Sequence, residues 1–311
     1  MSLVEMALKK MQAVRDASAD KQPVQTTASR PGSRLAEGVI GEVVKRPTGR
    51  PGEGKEGVVY NSDKMVRIDQ TALRIAGLAP PEHQQRELAD QYRQVKRPLI
   101  SAATGRGANK LPRGQLIMMA SAMPGEGKTF TAINLALSMA LEKDVSVMLV
   151  DADVAKPHIS RIFGVEREPG LLDVLRDESI NVDSVILPTD VRNLSIMPAG
   201  HQSETATELL ASQRMERTFE YLANSDPNRV LLIDSPPLLL TSESRALAQA
   251  VGQVVVVVRA EFTPQQAVLD AVEKLGGNHS ISLVLNQSKI TTASYYGYGS
   301  GSSGADPGAG A

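Results

Sequence analysis

The segment SAMPGEGKT at residues 121–129 holds the residue types best suited to binding phosphate groups. It lies between an apolar stretch typical of a strand and another, at residues 130–141, typical of a helix, which is the context that a phosphate-binding loop requires. Gly125 and Gly127 lack a Cβ atom, so the backbone can turn tightly and direct its N–H groups at phosphate oxygens. The N-terminus of the following helix adds partial positive charge. The segment therefore predicts a nucleotide site.

Two side chains follow the glycines where phosphate and metal would be bound. Lys128 is expected to reach the β- and γ-phosphates, and the hydroxyl of Thr129 is expected to bind Mg²⁺. The pattern G-x-x-x-x-G-K-[ST] is met except at its first position, where the small residue Ala122 replaces glycine. The residues expected to contact the nucleotide are Pro124, Gly125, Glu126, Gly127, Lys128, Thr129 and Phe130.

Two further apolar segments end in aspartates, which gives Asp151 and Asp153 after one and Asp234 after the other. In open α/β sheets, ligands bind at the carboxyl ends of strands. A carboxylate buried there needs a cation, and Mg²⁺ on ATP phosphates supplies one. Because Asp151 and Asp153 are two residues apart, we expect them to face one side of an extended strand, where one could accept a proton from an attacking hydroxyl. Helix N-capping would explain either segment alone, but explains their joint presence less well.

Alternating apolar and helical segments predict the fold. Strands that are apolar throughout and alternate with helices are typical of a doubly wound α/β fold, with a mostly parallel sheet of the P-loop NTPase type and helices on both faces. The strand-like segments are 115–121, 145–151, 194–198, 229–234, 253–259 and 280–286, and the helical ones are 128–142, 205–223, 242–251 and 264–275.

The chain divides into five parts by composition. Residues 1–20 have the apolar spacing of an amphipathic helix, and residues 21–57, rich in Pro, Gly, Ser and Thr, predict a disordered linker. Residues 58–110 precede the core domain at 111–288, and residues 289–311 form a flexible tail rich in Ser, Gly and Ala.

The segment before the core contains a charged helix at residues 82–97, which we expect Pro98 to end. Asp90, Arg93 and Lys96 follow one another at three-residue steps, which we assign to one face. By themselves they would form a solvated surface with weak ion pairs.

The composition excludes several classes of function. A net charge of -1 over 311 residues argues against a nucleic-acid binder. With no cysteine, disulfides, thiol catalysis and iron–sulfur chemistry are excluded, which fits a reducing compartment. No apolar run approaches the length of a membrane span and no signal-peptide core is present, so we expect a cytoplasmic chain.

Three of the six tyrosines, Tyr295, Tyr296 and Tyr298, stand in the polar tail. If the last strand, ending near Asn286, is parallel to the others, the tail leaves from the nucleotide edge. Tyr295 lies nine residues further on, roughly 30 Å at about 3.3 Å per residue, and could reach its own site or a neighbour's. The cluster is a candidate set of phosphate acceptors, with low-complexity filler as the alternative.

SAMPGEGKT, VMLVDADVAKP and VLLIDSPPLL closely resemble, in order and spacing, the Walker A, A′ and B motifs of bacterial tyrosine autokinases. These P-loop kinases control export of capsular and extracellular polysaccharide. Residues 68–78 and 90–99, with the opening MSLVEMALKKM, are similar to the subfamily associated with exosortase systems. The A′ motif departs from the family at Ala155, where a basic residue usually precedes Lys-Pro.

The resemblance implies roles for single residues. Lys128 and Thr129 would bind ATP and Mg²⁺, and Asp234 would support the metal. Asp151 and Asp153 would serve metal and catalysis; which of them is the base stays open, with Asp151 favoured. Asn286 resembles the adenine-contacting asparagine of related P-loop ATPases, although strand-end turn chemistry also explains it.

The resemblance also implies partners. Asp90-x-x-Arg93-x-x-Lys96 is similar to the family's Glu-x-x-Arg-x-x-Arg, which contacts an adjacent subunit in a ring whose tails enter neighbouring sites. A separate transmembrane chain-length regulator would activate the kinase and hold it at the inner membrane, and a tyrosine phosphatase would reset the tail. The main alternative is an ATPase switch of the partition or division-site class, which usually has a second lysine where this chain has Met123.

Overall fold

The computed structural model describes residues 40–45, 64–105, 110–276 and 279–288. The helix expected at residues 1–20, most of the expected linker and the tail with Tyr295, Tyr296 and Tyr298 lie outside these residues. In the part that is described, no helix is both long and apolar enough to cross a membrane.

Within the described residues, seven strands form the central sheet in the order β5-β6-β4-β7-β3-β8-β9, and two more form a separate antiparallel ribbon. All neighbours in the large sheet are parallel except β5 and β6. The strands are β1 (Gly41–Lys45), β2 (Lys64–Ile68), β3 (Leu116–Ser121), β4 (Ser146–Asp151), β5 (Leu187–Pro188), β6 (Leu194–Met197), β7 (Arg229–Asp234), β8 (Gln253–Arg259) and β9 (Ser280–Asn286). The predicted fold class is confirmed, with a short antiparallel edge strand added.

Helices cover both faces of this sheet. The α-helices of the described residues are α1 (Gln70–Ile75), α2 (Gln85–Thr104), α3 (Lys128–Ala140), α4 (His158–Ile162), α5 (Leu171–Arg176), α6 (Ala206–Leu210), α7 (Gln213–Asn224), α8 (Glu243–Ala250) and α9 (Gln265–Leu275). The helix expected at 205–223 is two helices, because the hydroxyl of Ser212 accepts the N–H of Met215 and starts α7.

The two faces have separate cores because successive strand side chains point to opposite sides. In β3, Met118 and Ala120 lie in one apolar cluster, while Ile117 and Met119 lie in the other. Strands buried on both faces in this way explain why their sequences are apolar throughout.

The expectation that Pro98 ends its helix is wrong, since α2 continues to Thr104. Proline removes one backbone hydrogen bond, but the buried side chains of Leu99 and Ala103 hold the following turns against the core. The helix ends instead at Gly105, whose φ of 75° is left-handed.

The expected linker is also wrong in part, because residues 41–45 form β1. The N–H of Ile40 donates to the carbonyl oxygen of Ile162 at 2.7 Å, and Ile40 is buried. Gly41 lies so close to Phe163 that a Cβ atom would stand 2.6 Å from the Phe163 carbonyl oxygen. Tertiary contact orders this stretch despite the Pro- and Gly-rich residues around it.

Candidate functional site

The glycine-rich segment connects the end of β3 to the start of α3 at the carboxyl edge of the parallel sheet. Gly125 and Gly127 have φ values of 81° and 91°, a left-handed region that glycine enters without steric cost. The ends of β4, β7, β8 and β9 meet at the same edge, since these strands run parallel to β3. The tight turn and the shared edge are what a phosphate site requires.

Asp234, at the end of β7, holds both side chains that close the glycine-rich segment. Its Oδ1 lies 2.6 Å from the Nζ of Lys128, and its Oδ2 accepts the hydroxyl of Thr129 at 2.8 Å. Asp153 Oδ2 lies 4.0 Å from the same Nζ. The structure therefore brings together four of the residues singled out in the sequence, with the Lys128 side chain only 7% exposed.

Asp151 ends β4 directly opposite Asp234 in the register of β4 and β7. It is fully buried, and its Oδ2 accepts both the N–H and the hydroxyl of Ser160, each at 2.7 Å. Its Oδ1 has no hydrogen-bond partner among the described residues. Burial, and then the charge of Asp234, raise the pKa of Asp151 to about 7, against the lowering effect of Ser160 and Lys128.

The expectation that Asp151 and Asp153 lie along one extended strand does not hold, because β4 ends at Asp151. Strand β4 ends at Asp151, and Asp153 stands in the following turn, where the N–H of Lys156 donates to its carbonyl oxygen. The two-residue alternation applies only along a continuous strand. Burial raises the pKa of Asp153, and the nearby Lys128 opposes that rise. Asp153 Oδ2 lies 4.0 Å from the Nζ of Lys128, whereas Oδ2 of Asp151 is held by Ser160.

Glu126 anchors the glycine-rich segment to two neighbouring loops. Its buried carboxylate accepts the N–H of Met123 at 2.7 Å and the hydroxyl of Thr263, which follows β8. Its carbonyl oxygen accepts the side-chain N–H of Asn286 at 2.9 Å, at the end of β9. Asn286 thus lies against the segment, where its amide group fixes the backbone in this structure.

Two residues at the site were missed in the sequence. Ser160 and His158 both belong to α4, a five-residue helix too short to show a periodic pattern. Burial lowers the pKa of His158 although Asp153 and Asp234 lie near enough to raise it in part. No motif in the sequence marks either residue, because both are placed by the turn that follows β4.

The three charged residues of α2 do not share one face. Arg93 and Asp90 pair with each other on the surface, whereas Lys96 is buried and bonds Ser138 and Glu142 through its ammonium at 2.6 and 2.8 Å. Each three-residue step turns an α-helix by about 300°, so Lys96 lies about 120° around the axis from Asp90. The assignment of all three to one exposed face is therefore wrong, and only Asp90 and Arg93 remain available to a neighbouring chain.

Residues 114–282 match a family model described as an AAA domain. That range is more than half of the chain and contains the glycine-rich segment and all three aspartates. The chain belongs to the AAA domain family. Within it, the chain is similar to tyrosine-protein kinase YwqD of Bacillus subtilis, 29% identical over 213 residues that cover 68% of this chain and 85% of that protein.

Two further proteins to which the chain is similar are also kinases by name. The chain is 31% identical over 187 residues to a putative tyrosine-protein kinase, EpsB, of Ralstonia nicotianae; the match covers 60% of this chain but only 24% of EpsB. The VpsO kinase domain aligns with a TM-score of 0.53 and 26% identity, covering 66% of this chain and 98% of that domain. The resemblance to bacterial tyrosine kinases is confirmed, and with it the enzyme class, a protein-tyrosine kinase. The finer resemblance to the exosortase-associated subfamily stays a prediction.

Proposed function

We propose that this protein is an ATP- and Mg²⁺-dependent tyrosine autokinase that phosphorylates Tyr295, Tyr296 and Tyr298 of its own tail, in trans within an oligomer. The observation that carries this proposal is the convergence of Lys128, Thr129 and the aspartates at one edge of the sheet. The P-loop residues Pro124, Gly125, Glu126, Gly127 and Phe130 would complete the nucleotide site.

The residues at this edge fit a magnesium ion. Every candidate ligand is oxygen, namely the hydroxyl of Thr129 and the carboxylates of Asp151, Asp153 and Asp234, which is the donor set that Mg²⁺ prefers. Among the described residues, no group of three or more His, Asp or Glu side chains is arranged to hold a metal by itself. We therefore assign the ion to Thr129 and these carboxylates together with nucleotide phosphates, where it would neutralise charge on the transferred group.

Lys128 would contribute positive charge to the β- and γ-phosphates, and the N–H groups of the P-loop would hold their oxygens. In the structure, the ammonium of Lys128 already balances the charge of Asp234 at 2.6 Å, with both side chains buried. Asn286 would fix the backbone of the loop from the nucleobase side, either contacting adenine or only bracing Glu126.

Asp151 is the best candidate for the base. Its Oδ1 has no hydrogen-bond partner among the described residues and so keeps the capacity to accept a proton, and burial beside Asp234 raises its pKa in the metal-free protein. In the proposed reaction the phenol oxygen of a tail tyrosine attacks the γ-phosphorus, the bond from that phosphorus to the β,γ-bridging oxygen breaks, and ADP leaves. The phenol proton passes to Asp151.

The wider function is proposed from the motifs. We infer that tail phosphorylation regulates chain length and export of an exopolysaccharide, that a transmembrane chain-length regulator activates the kinase at the inner membrane, and that a tyrosine phosphatase reverses the modification. The division into an N-terminal helix, a linker around β1, a pre-core segment, a kinase domain and a tyrosine-bearing tail belongs to the same proposal. The chain spans most of YwqD but about a quarter of EpsB, so these partners are not carried over from longer relatives.

Incubation with labelled ATP and Mg²⁺, followed by mass spectrometry, tests the activity. We expect label on Tyr295, Tyr296 and Tyr298 that is lost in Lys128→Met and kept in Lys143→Met, which removes an exposed lysine beyond the end of α3. Release of free phosphate with an unmodified tail would contradict the kinase proposal and favour an ATPase switch of the partition or division-site class.

A further inference from the structure

Ser160 is a buried serine whose polar groups are directed at one carboxylate oxygen. Both its backbone N–H and its hydroxyl donate to Oδ2 of Asp151 at 2.7 Å. A backbone bond and a side-chain bond from the same residue fix the carboxylate more firmly than either would alone, since they approach Oδ2 from two directions.

The hydroxyl of Ser160 is itself held in place. Its Oγ accepts the N–H of Ala199, which follows β6, at 3.0 Å. Because β6 is the neighbour of β4, this contact ties the loop after β6 to the end of the strand that carries Asp151. With Ala199 as donor to the oxygen, the hydroxyl proton is left to point at Asp151.

The two carboxylate oxygens of Asp151 differ in their hydrogen bonds. Oδ2 of Asp151 receives two hydrogen bonds, whereas Oδ1 receives none from the described residues, although both are buried. Asp234, which is paired with Asp151 on the neighbouring strand, holds Lys128 and Thr129 of the P-loop. One oxygen of Asp151 is thus held by Ser160 and the other has no partner among the described residues, in an aspartate whose strand neighbour holds both P-loop side chains.

We propose that Ser160 is a positioning residue for phosphoryl transfer, which sets the orientation of Asp151 so that Oδ1 is presented to the reacting groups. This inference rests on the proposed function, in which Asp151 accepts a proton or binds the cation. Ser160 touches neither nucleotide nor tyrosine in this role. It acts through Asp151, in the way that residues behind a catalytic group restrict its side-chain freedom.

The test compares Ser160→Ala with Ser195→Ala. Ser195, in β6, is equally buried, and its hydroxyl donates to the backbone carbonyl of Val147 at 3.3 Å, so it offers a matched loss of one buried hydroxyl away from the aspartates. We expect kcat for autophosphorylation to fall about tenfold or more in Ser160→Ala, with KM for ATP changed less than threefold. In Ser195→Ala, both should stay within twofold of the wild type.

A second readout needs no turnover. The affinity for a fluorescent ADP analogue is measured in Mg²⁺ and in EDTA for all three proteins. In EDTA, we expect Ser160→Ala to bind the analogue as tightly as the wild type does. The increase in affinity that Mg²⁺ produces should be about threefold or more smaller in Ser160→Ala. Urea unfolding checks that both variants fold. If Ser160→Ala does not fold, Ser160→Cys, which retains a weaker donor of similar size, replaces it and should show the same effects at reduced size.

The outcomes separate this inference from the proposed function. Equal losses of rate in Ser160→Ala and Ser195→Ala, or wild-type values of both rate and Mg²⁺ gain in Ser160→Ala, would overturn the role of Ser160. Wild-type protein that releases phosphate without phosphotyrosine would overturn the kinase proposal alone, and the same comparison of variants on phosphate release and on Mg²⁺ gain would still decide the role of Ser160.

Discussion

Asp234 connects the P-loop side chains to the sheet through two contacts, one with the ammonium of Lys128 and one with the hydroxyl of Thr129. It is fully buried, so water cannot replace either partner. A buried ion pair contributes modestly when complete, but removing one member leaves the other charge uncompensated.

We expect Asp234→Asn to destabilise the protein by about 3 kcal/mol, since it leaves the buried Lys128 with only the more distant carboxylate of Asp153 as counter-charge. Autophosphorylation should fall by more than about a hundredfold, in line with losses of about 3 kcal/mol or more of transition-state stabilisation. The control is Glu220→Gln, which breaks an exposed ion pair with Arg113 and should cost under about 1 kcal/mol. If urea unfolding shows equal losses of stability in Asp234→Asn and Glu220→Gln, burial does not make the Asp234 ion pair more important than an exposed one.

Asp151 gives the metal-free protein a pH dependence of known sign. Its pKa is raised in the folded state from 3.8 to about 7, so the folded protein holds the proton more tightly than the unfolded chain. The stabilising effect is complete below about pH 4 and is lost as the pH rises to about 7. The buried carboxylate therefore lowers the stability of the folded protein above neutral pH.

Asp151→Asn should remove this effect and make the variant relatively more stable at pH 8 than at pH 4, by on the order of 3 kcal/mol, because one pKa unit corresponds to about 1.4 kcal/mol. Urea unfolding in EDTA at both pH values measures the difference between variant and wild type. Identical pH slopes for the two proteins would show that Asp151 titrates normally.

At the scale of elements, the β1–β2 ribbon shows how tertiary contact overrides composition. β1 lies in a stretch that reads as linker, yet Gly41 rests directly on the backbone of Phe163, just beyond α4. Helix α4 carries Ser160, so the start of β1 contacts the C-terminal end of the element that supports Asp151.

We expect Gly41→Ala to destabilise the protein by about 2 kcal/mol, because its methyl group would collide with backbone atoms of Phe163 that cannot rotate away. Glu42→Ala, one residue on and exposed in the same strand, is the control and should change stability by less than about 0.5 kcal/mol. Thermal or urea unfolding measures both stabilities, and an equal loss of stability in the two variants would mean that β1 is not packed as described.

At the scale of the whole molecule, the exposed pair of Asp90 and Arg93 is the surface from which we infer assembly. Each side chain is at least half exposed, and their mutual ion pair contributes little to the single chain. A charge reversal at this pair should therefore change the association of chains while leaving the stability of the single chain nearly unchanged.

We expect Arg93→Glu to lower both the mass measured by light scattering and the phosphorylation of the tail, because neighbouring chains would meet like charges. Arg97→Glu, an exposed position one turn further along α2, should reduce them less. An unchanged mass with full autophosphorylation in Arg93→Glu would remove Arg93 from the proposed interface.

Much of the fold and of the site could be predicted because the signals are local. The strands from 229 to 234, 253 to 259 and 280 to 286 were predicted at their observed bounds. The first two are buried parallel strands, which are apolar throughout, and the third has a run of β-forming apolar residues. The P-loop glycines and Lys128 were identified because a phosphate-binding turn needs those residue types at neighbouring positions.

The remainder depended on contacts between residues distant in the chain. Pro98 stays helical because Leu99 and Ala103 are buried, and Lys96 is lost from the surface because α2 packs against α3. Asp151 and Asp153 face different partners because β4 ends between them, and Ser160 reaches Asp151 only through a turn that no pattern marks.

The amino-acid sequence alone determined that a mostly parallel sheet would present a phosphate-binding loop and three aspartates at one edge, because hydrophobic periodicity and glycine placement act over a few residues. Only the tertiary structure decided which oxygen of Asp151 is supported and which stays free, since that choice rests on Ser160 and Ala199, which lie 9 and 48 residues along the chain from it.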